Sequence, residues 1–282
     1  FNIFQLALIF KRPNFNVIGI LFLQYLRMPK DGLNNKFKFF RKNLITKLYT
    51  FNSKIETVFI LNDLQSVNAL NSKFRTQIFK MLPDPIPMNE EEANFDLYKH
   101  YNIPRDKKIL LHPGTIDPRK GIYEIIEAID FLPIKETMRF AILIIGKANP
   151  TIEKVVTRKI EELKNKKFTI VFDNNFISNE RLKSVFLQSY SVLIPYKISE
   201  ASSGVLGHSV IANKCVLGPN KGLLGELIHE NKFGVLIDEI NALNIAEGIK
   251  LLVNFKLDKS RINNFISNHT IELFSEAIFK SK

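Results

Sequence analysis

Short apolar runs alternate with segments of helical periodicity along most of the chain. After residue 104 the alternation is regular, and strands are predicted at 108–112, 140–145, 168–172, 192–194, 215–218 and 234–237. Helices are predicted between and after them, at 121–132, 152–165, 179–189, from Ser202 or Ser203 to 213, at 223–230 and at 242–254. Strands that alternate with helices in this way form βαβ units, so the pattern predicts an α/β fold with a parallel sheet.

The first part of the chain has the same alternation in a less regular form. Helices are predicted at 1–10, 37–52 and 66–74, strands at 17–23 and 56–61, and a short strand or a helix end at 77–82. Prolines at 83–87 and acidic residues at 89–93 then break the pattern and predict a linker at about 83–103. A chain of 282 residues is long enough for two domains. We expect them at 1–103 and 104–258, with a helical tail at 259–282.

Composition narrows the class of protein. An apolar fraction of 45% with 24% charged residues is typical of a folded globular chain. Cys215 is the only cysteine, which excludes an intrachain disulfide and favours a reducing compartment. No apolar run reaches the ~18 residues of a membrane span. The chain begins at Phe1 without Met or a basic leader, so we expect no secretion signal and expect that the natural start is missing.

Positive charge is concentrated near the amino terminus. The formal net charge is +12, and residues 1–60 hold ten Lys and Arg against Asp31 and Glu56. Bases and aromatics interleave most densely at 35–49. This pattern is typical of a helix that lies on an anionic membrane surface, or of a surface helix with Phe39, Phe40, Leu44 and Leu48 packed inward. Nucleic acid is the least favoured partner, because no nucleic-acid-binding motif is present.

The loop after the strand at 192–194 is the first candidate site. It carries Glu200 and leads into a helix whose start has free backbone N–H groups beside Gly204, with Ser202 or Ser203 as the capping residue. Ligands of open α/β sheets bind at the carboxyl ends of strands, and helix N-termini bind anions. The sequence therefore predicts an anion site here, although an ordinary capped helix would have the same pattern.

Three further strand ends carry polar or glycine-containing loops, at 113–121, 146–149 and 220–226. Arg119 and Lys120 stand just before a predicted helix, where cations and N–H groups together suit a diphosphate. Because parallel strands share their carboxyl ends, we expect all these loops to lie at one edge of the sheet.

These segments resemble a known family. The resemblance is carried by Gly114 with Arg119-Lys120-Gly121, Leu143-Ile-Ile-Gly146, residues 171–182, Glu200 with its Ser-Ser-Gly loop, residues 222–226 and residues 233–236. They are similar to the motifs of retaining glycosyltransferases of the GT-B fold, in the family 4 (group 1) class. The likeness covers about 104–254, and it implies two Rossmann-like parallel-sheet domains, the first of them incomplete.

The resemblance also implies roles for individual residues. Glu200 and Lys120 match catalytic positions, and the implied donor-binding residues are Gly114, Thr115, Arg119, Gly146, Ile177, Ser202, Ser203, Gly204, Val205 and His208. The implied reaction moves a sugar, with retention, from a UDP- or GDP-sugar to a saccharide or lipid-linked acceptor in surface polysaccharide biosynthesis. The donor is the co-substrate, and neither metal nor another cofactor is implied. A cytoplasmic location is expected, peripheral on the inner face of the membrane.

Two positions differ from the family pattern. Thr115 stands where the family usually has Arg, and His208 stands where it has the second glutamate of a pair. A neutral His makes one hydrogen bond to a ribose where a carboxylate grips two hydroxyls. An inactive nucleotide-sugar-binding or scaffold protein with the same fold is therefore the alternative.

Overall fold

The computed structural model describes residues 13–22, 24–28, 31–87, 90–163, 166 and 168–279. The helix predicted at 1–10 lies outside these ranges. By its contacts the chain divides into two units, one of residues up to Pro85 with 200–202 and those from Asn268, the other of 86–199 with 203–267. The boundaries predicted from the sequence, at 1–103, 104–258 and 259–282, remain a prediction.

The first unit is built on a parallel sheet of three strands in the order β1-β2-β3. These strands are β1 (Val17–Leu21), β2 (Ile55–Leu61) and β3 (Phe79–Leu82), and helices α1 (Leu33–Thr50) and α2 (Leu64–Phe74) connect them. The alternative of a helix end at 77–82 is excluded, because Phe79–Leu82 pairs with β2. A short 3-10 turn at Tyr25–Arg27, which the sequence pattern did not predict, precedes α1.

Helix α1 packs on this sheet with a face that the sequence pattern did not identify. Ile45, Thr46 and Tyr49 are its buried residues, and Phe39 is half-buried against the same core. The inward packing of Phe40, Leu44 and Leu48 is wrong, because all three side chains are exposed. The error arises because apolar residues line two faces of the helix, and periodicity cannot say which of them meets the sheet.

A buried ion pair holds the start of α2. Arg27 donates to Asp63 at 2.6 and 2.8 Å, and their side chains are 9% and 1% exposed. Asp63 also caps the helix, since its carboxylate accepts from the Ser66 N–H at 2.9 Å. Burial alone would raise the pKa of the Asp63 carboxyl, but the hydrogen bonds from Arg27 and Ser66 outweigh burial and lower the pKa.

This pair predicts a dependence of stability on pH. A carboxyl whose pKa is lowered on folding stabilises the protein above its unfolded pKa of about 4, and this contribution is lost as the pH falls through the folded value. We expect Asp63→Asn, which can still cap α2, to lower the free energy of unfolding at neutral pH by about 1.5–3 kcal/mol. Its denaturation curves should change less on acidification than those of the wild type. Asp31→Asn, at an exposed position, is the control, and equal acid sensitivity of Asp63→Asn and wild type would refute the prediction.

The second unit is built on a parallel sheet of six strands in the order β6-β5-β4-β7-β8-β9. These are β4 (Lys108–Pro113), β5 (Phe140–Ile145), β6 (Thr169–Asp173), β7 (Ser191–Leu193), β8 (Val216–Pro219) and β9 (Gly234–Ile237). All six were predicted, two of them with the same bounds and four with ends that differ by one residue. Every neighbouring pair is parallel, which confirms the predicted α/β class with parallel sheets.

Helices cover both faces of this sheet. They are α3 (Leu97–His100), α4 (Ile122–Glu127), α5 (Ile134–Arg139), α6 (Pro150–Glu162), α7 (Asn179–Gln188), α8 (Gly204–Ile211), α9 (Gly222–Asn231), α10 (Ala242–Leu252) and α11 (Lys259–Asn268). A last helix, α12 (Ile271–Phe279), packs with Phe274 and Ile278 against the apolar cluster of the first unit's sheet. Alternation along β4 divides the main core, with Ile109 and Leu111 on one face and Leu110 on the other.

Two segments differ from the predicted pattern. The helix predicted at 121–132 is the short α4 flanked by 3-10 turns at Pro118–Lys120 and Ala128–Phe131, and α5 follows it without having been predicted. The predicted linker contains α3, in which Leu97 is fully buried. Short helices of this kind are stabilised by tertiary packing rather than by periodicity, so the pattern alone does not predict them. Within the described ranges, no helix combines the length and the hydropathy that crossing a bilayer requires.

Candidate functional site

The loops after β4, β5 and β6 are hydrogen-bonded to each other at the carboxyl edge of the second sheet. The N–H of Gly114 donates to Ile145 O at 2.9 Å, and the N–H of Gly146 donates to Asp173 O at 2.9 Å. Gly146 has a φ of +141°, and a Cβ there would overlap with the carbonyl of Gly114. Only glycine therefore permits this close approach of the two backbones.

The loop after β7 is joined to its neighbours on both sides. The N–H of Lys197 donates to Arg119 O at 2.8 Å, which ties it to the loop after β4. The N–H of Leu224 donates to Ser199 O at 3.0 Å, which ties it to the loop after β8, and a Cβ at Gly222 would overlap with Ser199. The strand-end loops predicted to share one edge are thus held there by backbone hydrogen bonds.

Lys120 is the cation that this scaffold positions. Its side chain is half-buried, with Nζ 3.3 Å from the place of a Cβ on Gly114 and 5.5 Å from the centre of the Tyr196 ring. Among the described residues, no carboxylate lies within ion-pairing distance of it. Burial is the main cause that lowers the pKa of the Lys120 ammonium. A partly desolvated cation without a carboxylate partner is an anion-binding group, because Coulomb attraction strengthens as water is removed.

Arg119 has a different environment, although it is the neighbouring residue. Its guanidinium donates to the Asp117 carboxylate at 2.8 and 3.0 Å, and its side chain is 66% exposed. Hydrogen bonding to Arg119 lowers the pKa of Asp117 and in turn raises that of Arg119. Of the two predicted cations, Lys120 is therefore the one that no described carboxylate pairs with. Thr115, in the same loop, is exposed.

Neither predicted serine caps the start of α8 with its side chain. Ser203 occupies the N-cap position, but its side chain makes no capping hydrogen bond, and a Cβ at Gly204 would meet no atom within 4 Å. Ser202 does not cap the helix either, because its hydroxyl donates to Asp84 at 2.8 Å and accepts from Asn62 at 3.0 Å. Side-chain capping by either serine, as predicted, is therefore wrong. The N–H groups of Gly204 and Val205 have no acceptor among the described residues and are available to an anion.

Two further predicted residues, Glu200 of the first unit and Ile177 of the second, lie on loops. Glu200 is half-exposed, and its side chain has no hydrogen-bond or ion-pair partner within the part of the chain that the structure describes. Ile177 is half-buried against the core in the loop after β6, beside the exposed ring of Phe176. In that loop Asp173 accepts a hydrogen bond from the Tyr101 hydroxyl at 2.8 Å. These residues have the exposure that donor contacts require, and their roles remain a prediction.

His208 lies in a different environment from the strand-end loops. Its ring is 5.5 Å from that of Phe186 on α7, and burial lowers its pKa. It lines a small cavity with Pro87, Lys183, Phe186, Leu187, Ile211 and Ala212. None of these residues belongs to the strand-end loops. These contacts do not test a ribose-binding role for His208, which remains a prediction.

Sequence reasoning missed three groups that shape the site. Tyr196 is buried under Lys120, and Glu124 pairs with Lys197 at 2.7 Å. His112, fully buried near the end of β4, contacts Leu193 O through Nδ1 at 2.8 Å, and burial lowers its pKa to about 4. No periodic signal marks these residues, because His112 and Tyr196 lie at the ends of apolar strands and are indistinguishable there from core, and Glu124 is one charged residue on a helix.

A cavity of about 260 Å³ opens beside the loop after β8. It is lined by Asn220, Lys221, Gly222, Gly225, Glu226, His229 and Glu230. No group of three or more His, Cys, Asp or Glu side chains is placed to hold a metal within the described ranges. The polar groups gathered at this edge are thus cations, backbone N–H groups and single carboxylates.

Parallel α/β sheets with such loops at the carboxyl edge fit the GT-B class of protein. The chain belongs to the glycosyl transferases group 1 family, whose sequence model matches residues 95–268. It is accordingly a glycosyltransferase. Among curated proteins, no sequence matches the chain.

Solved structures are similar in fold at low identity. WaaG, a glycosyltransferase involved in lipopolysaccharide biosynthesis, is 16% identical with a TM-score of 0.57, over 95% of this chain and 74% of its own. Anabaena Alr3699/HepE in complex with UDP is 13% identical with a TM-score of 0.67, over 94% and 71%. An α,α-trehalose-phosphate synthase (UDP-forming) from Burkholderia xenovorans is 9% identical with a TM-score of 0.72, over 94% and 67%. At these identities the likeness shows the GT-B fold alone.

Proposed function

We propose that the protein transfers a sugar from a nucleoside-diphosphate sugar to a saccharide or lipid-linked acceptor, with retention at the anomeric carbon. The observation that carries the proposal is Lys120, a half-buried ammonium at the edge where the strand-end loops meet, with no carboxylate partner among the described residues. The UDP complex of the Anabaena structure supports UDP as the nucleotide, and GDP is the other candidate. The lipopolysaccharide role of WaaG supports an acceptor in surface polysaccharide biosynthesis.

The mechanism follows from where negative charge develops. Cleavage of the bond between the anomeric carbon and the diphosphate oxygen leaves that charge on the phosphates. The Lys120 ammonium and the N–H groups at the start of α8 are fixed before the reaction, so they stabilise the developing charge without reorganisation. In this proposal the chain's own groups bind the leaving diphosphate, and the donor is the only co-substrate.

Glu200 has a positioning role in the same proposal. Its carboxylate has two oxygens that accept hydrogen bonds from hydroxyl groups, and no described group occupies them. It would hold the hydroxyls of the donor sugar and orient the anomeric carbon. Thr115 and Gly114 would contact the phosphates through the loop that follows β4.

The test is the release of nucleotide from a panel of UDP- and GDP-sugars by the full chain. We expect slow release from one of them, faster release with a saccharide acceptor, and an anomeric configuration in the product, read by NMR, that matches the donor. Release should persist in the presence of a chelator. Tight binding of donor without release would contradict the transfer reaction and favour the inactive nucleotide-sugar-binding alternative, and inversion in the product would contradict retention.

Replacement of Glu200 tests its proposed role. We expect Glu200→Gln to lower kcat/KM for the sugar donor by roughly 10- to 100-fold, the value of one or two hydrogen bonds to a charged group. The affinity for free UDP or GDP, measured by calorimetry, should change little, because the nucleotide lacks the sugar hydroxyls. Glu153→Gln, on exposed α6, is the matched control. An unchanged kcat/KM for Glu200→Gln would remove this residue from the mechanism.

A further inference from the structure

Helix α1 presents a row of exposed apolar side chains to solvent. Each member is between 40% and 86% exposed: Leu33, Phe37, Phe40, Leu44 and Leu48 on the helix, and Phe51 at its C-cap. At about 100° per residue they fall within an arc of about 80°, so they form one continuous stripe. We call these six residues the α1 stripe.

The orientation of the helix is fixed by its opposite face. Ile45 and Tyr49 are buried in the core of the first unit, and the Tyr25 hydroxyl donates to Asn43 at 3.0 Å. The Tyr25 and Phe39 rings meet edge to face with centres 5.3 Å apart. The α1 stripe therefore cannot turn inward without breaking this packing. A helix with one apolar face in the core needs no second one to fold.

Positive side chains border the stripe on both sides. At helical spacing Lys36 and Lys47 lie along one border, and Arg41 lies along the other. All three side chains are exposed. The helix contains no Asp or Glu, so its exposed charges are all positive.

This combination selects one class of partner. An isologous contact with a second copy would set cationic borders against cationic borders, which is unfavourable. Nucleic acid would use the cations but would leave the Phe and Leu side chains in water. An anionic bilayer uses both, because apolar side chains enter the headgroup region while Lys and Arg contact lipid phosphates.

We infer that the α1 stripe and its cationic borders dock the protein onto an anionic lipid surface. A helix of this length is about 27 Å long, so the whole stripe lies flat in the interface rather than crossing it. This surface is independent of the residues proposed to bind the donor. It would bring the enzyme to a membrane that carries its acceptor, whatever sugar it transfers.

The charge of the borders is tested with vesicles and the full chain. We expect cosedimentation with phosphatidylglycerol–phosphatidylcholine vesicles, little binding to phosphatidylcholine alone, and weakening as added salt shortens the Debye length. Lys36→Glu/Lys47→Glu should weaken binding by roughly 30-fold or more, since each basic residue near an anionic surface contributes about fivefold. Lys135→Glu/Lys154→Glu makes the same change in net charge at exposed positions of the second unit and should bind like the wild type.

The contribution of the apolar side chains of the α1 stripe to vesicle binding is tested with a separate variant. Phe37→Ser/Phe40→Ser should weaken vesicle binding by roughly tenfold or more, because each ring loses the burial that the lipid provides. Melting temperature should stay near that of the wild type, since both rings are exposed. Ile134→Ser/Leu251→Ser removes exposed apolar side chains elsewhere and should leave binding intact.

Three outcomes would overturn the inference. The first is vesicle binding that is equal in the stripe variants and in their controls. The second is binding that is indifferent to lipid charge. The third is a dimer that Phe37→Ser/Phe40→Ser converts to monomer without any vesicle binding by the wild type, which would make the stripe an interface between copies. Nucleotide release is measured in parallel without lipid, where the stripe variants should match the wild type, so failure here is distinct from failure of the proposed reaction.

Discussion

Lys120→Ala should lower kcat for sugar transfer by roughly 100- to 1,000-fold, the usual effect of removing one fixed donor to a developing oxyanion. The loss should fall mainly on kcat, because the diphosphate carries more charge as a leaving group than as part of the intact donor. No described carboxylate pairs with Lys120, so its positive charge is not already neutralised and is available to the phosphates. Initial rates of nucleotide release over a range of donor concentrations measure this effect.

Arg119→Ala is the comparison for Lys120. It removes a neighbouring positive charge, but the guanidinium is exposed and already paired with Asp117. We therefore expect a loss in kcat of less than about tenfold, in keeping with the small value of an exposed ion pair. Lys154→Ala, on exposed α6, controls for net charge. If Arg119→Ala had the larger effect, or if Lys120→Ala retained full kcat, the assignment of Lys120 to the leaving diphosphate would be wrong.

Gly146→Ala should lower the free energy of unfolding by about 2–6 kcal/mol, since strain and overpacking each cost about 1–3 kcal/mol. The added methyl group would overlap with the Gly114 carbonyl, and the φ of +141° is one that alanine avoids. Relief of that overlap requires the loop after β4 to move, so donor affinity should fall as well. Chemical denaturation measures the first effect and calorimetry with UDP or GDP measures the second.

Gly204→Ala provides the matched control for Gly146. It makes the same chemical change at the first position of a helix, where a Cβ meets no atom within 4 Å. Alanine is the better helix former by about 1 kcal/mol, so this variant should be as stable as the wild type or slightly more stable. Equal destabilisation of the two variants would show that the close approach at Gly146 does not govern the edge of the sheet.

Most of the second unit could be predicted from the sequence. A buried parallel strand is a short apolar run, and a surface helix has apolar residues at helical spacing, so both signals are local. Phe140–Ile145 and Gly234–Ile237 have the predicted bounds. The same logic placed the strand-end loops at one edge, because parallel strands leave no other arrangement. The short helices α3 and α5 were not predicted, because four to six residues are too few to show helical periodicity.

The sequence alone did not distinguish the roles of individual site residues. Lys120 and Arg119 are adjacent cations with the same local sequence context, and only their contacts distinguish them. Ser202 was a plausible cap by residue type, but its hydroxyl is engaged by Asp84 and Asn62, which are distant in sequence. His208 likewise contacts a residue that is distant in sequence, Phe186. Partners that are distant in sequence cannot be predicted from the residues that neighbour each position along the chain.

By itself, the sequence determined the α/β class, the family likeness and the edge of the sheet where a ligand would bind, because hydrophobic periodicity and loop chemistry depend only on nearby residues. Only the tertiary structure decided which apolar face of α1 meets the core and which stays exposed, and which of two adjacent cations is paired with a carboxylate. The physical reason is that burial and pairing depend on residues brought together from distant parts of the chain.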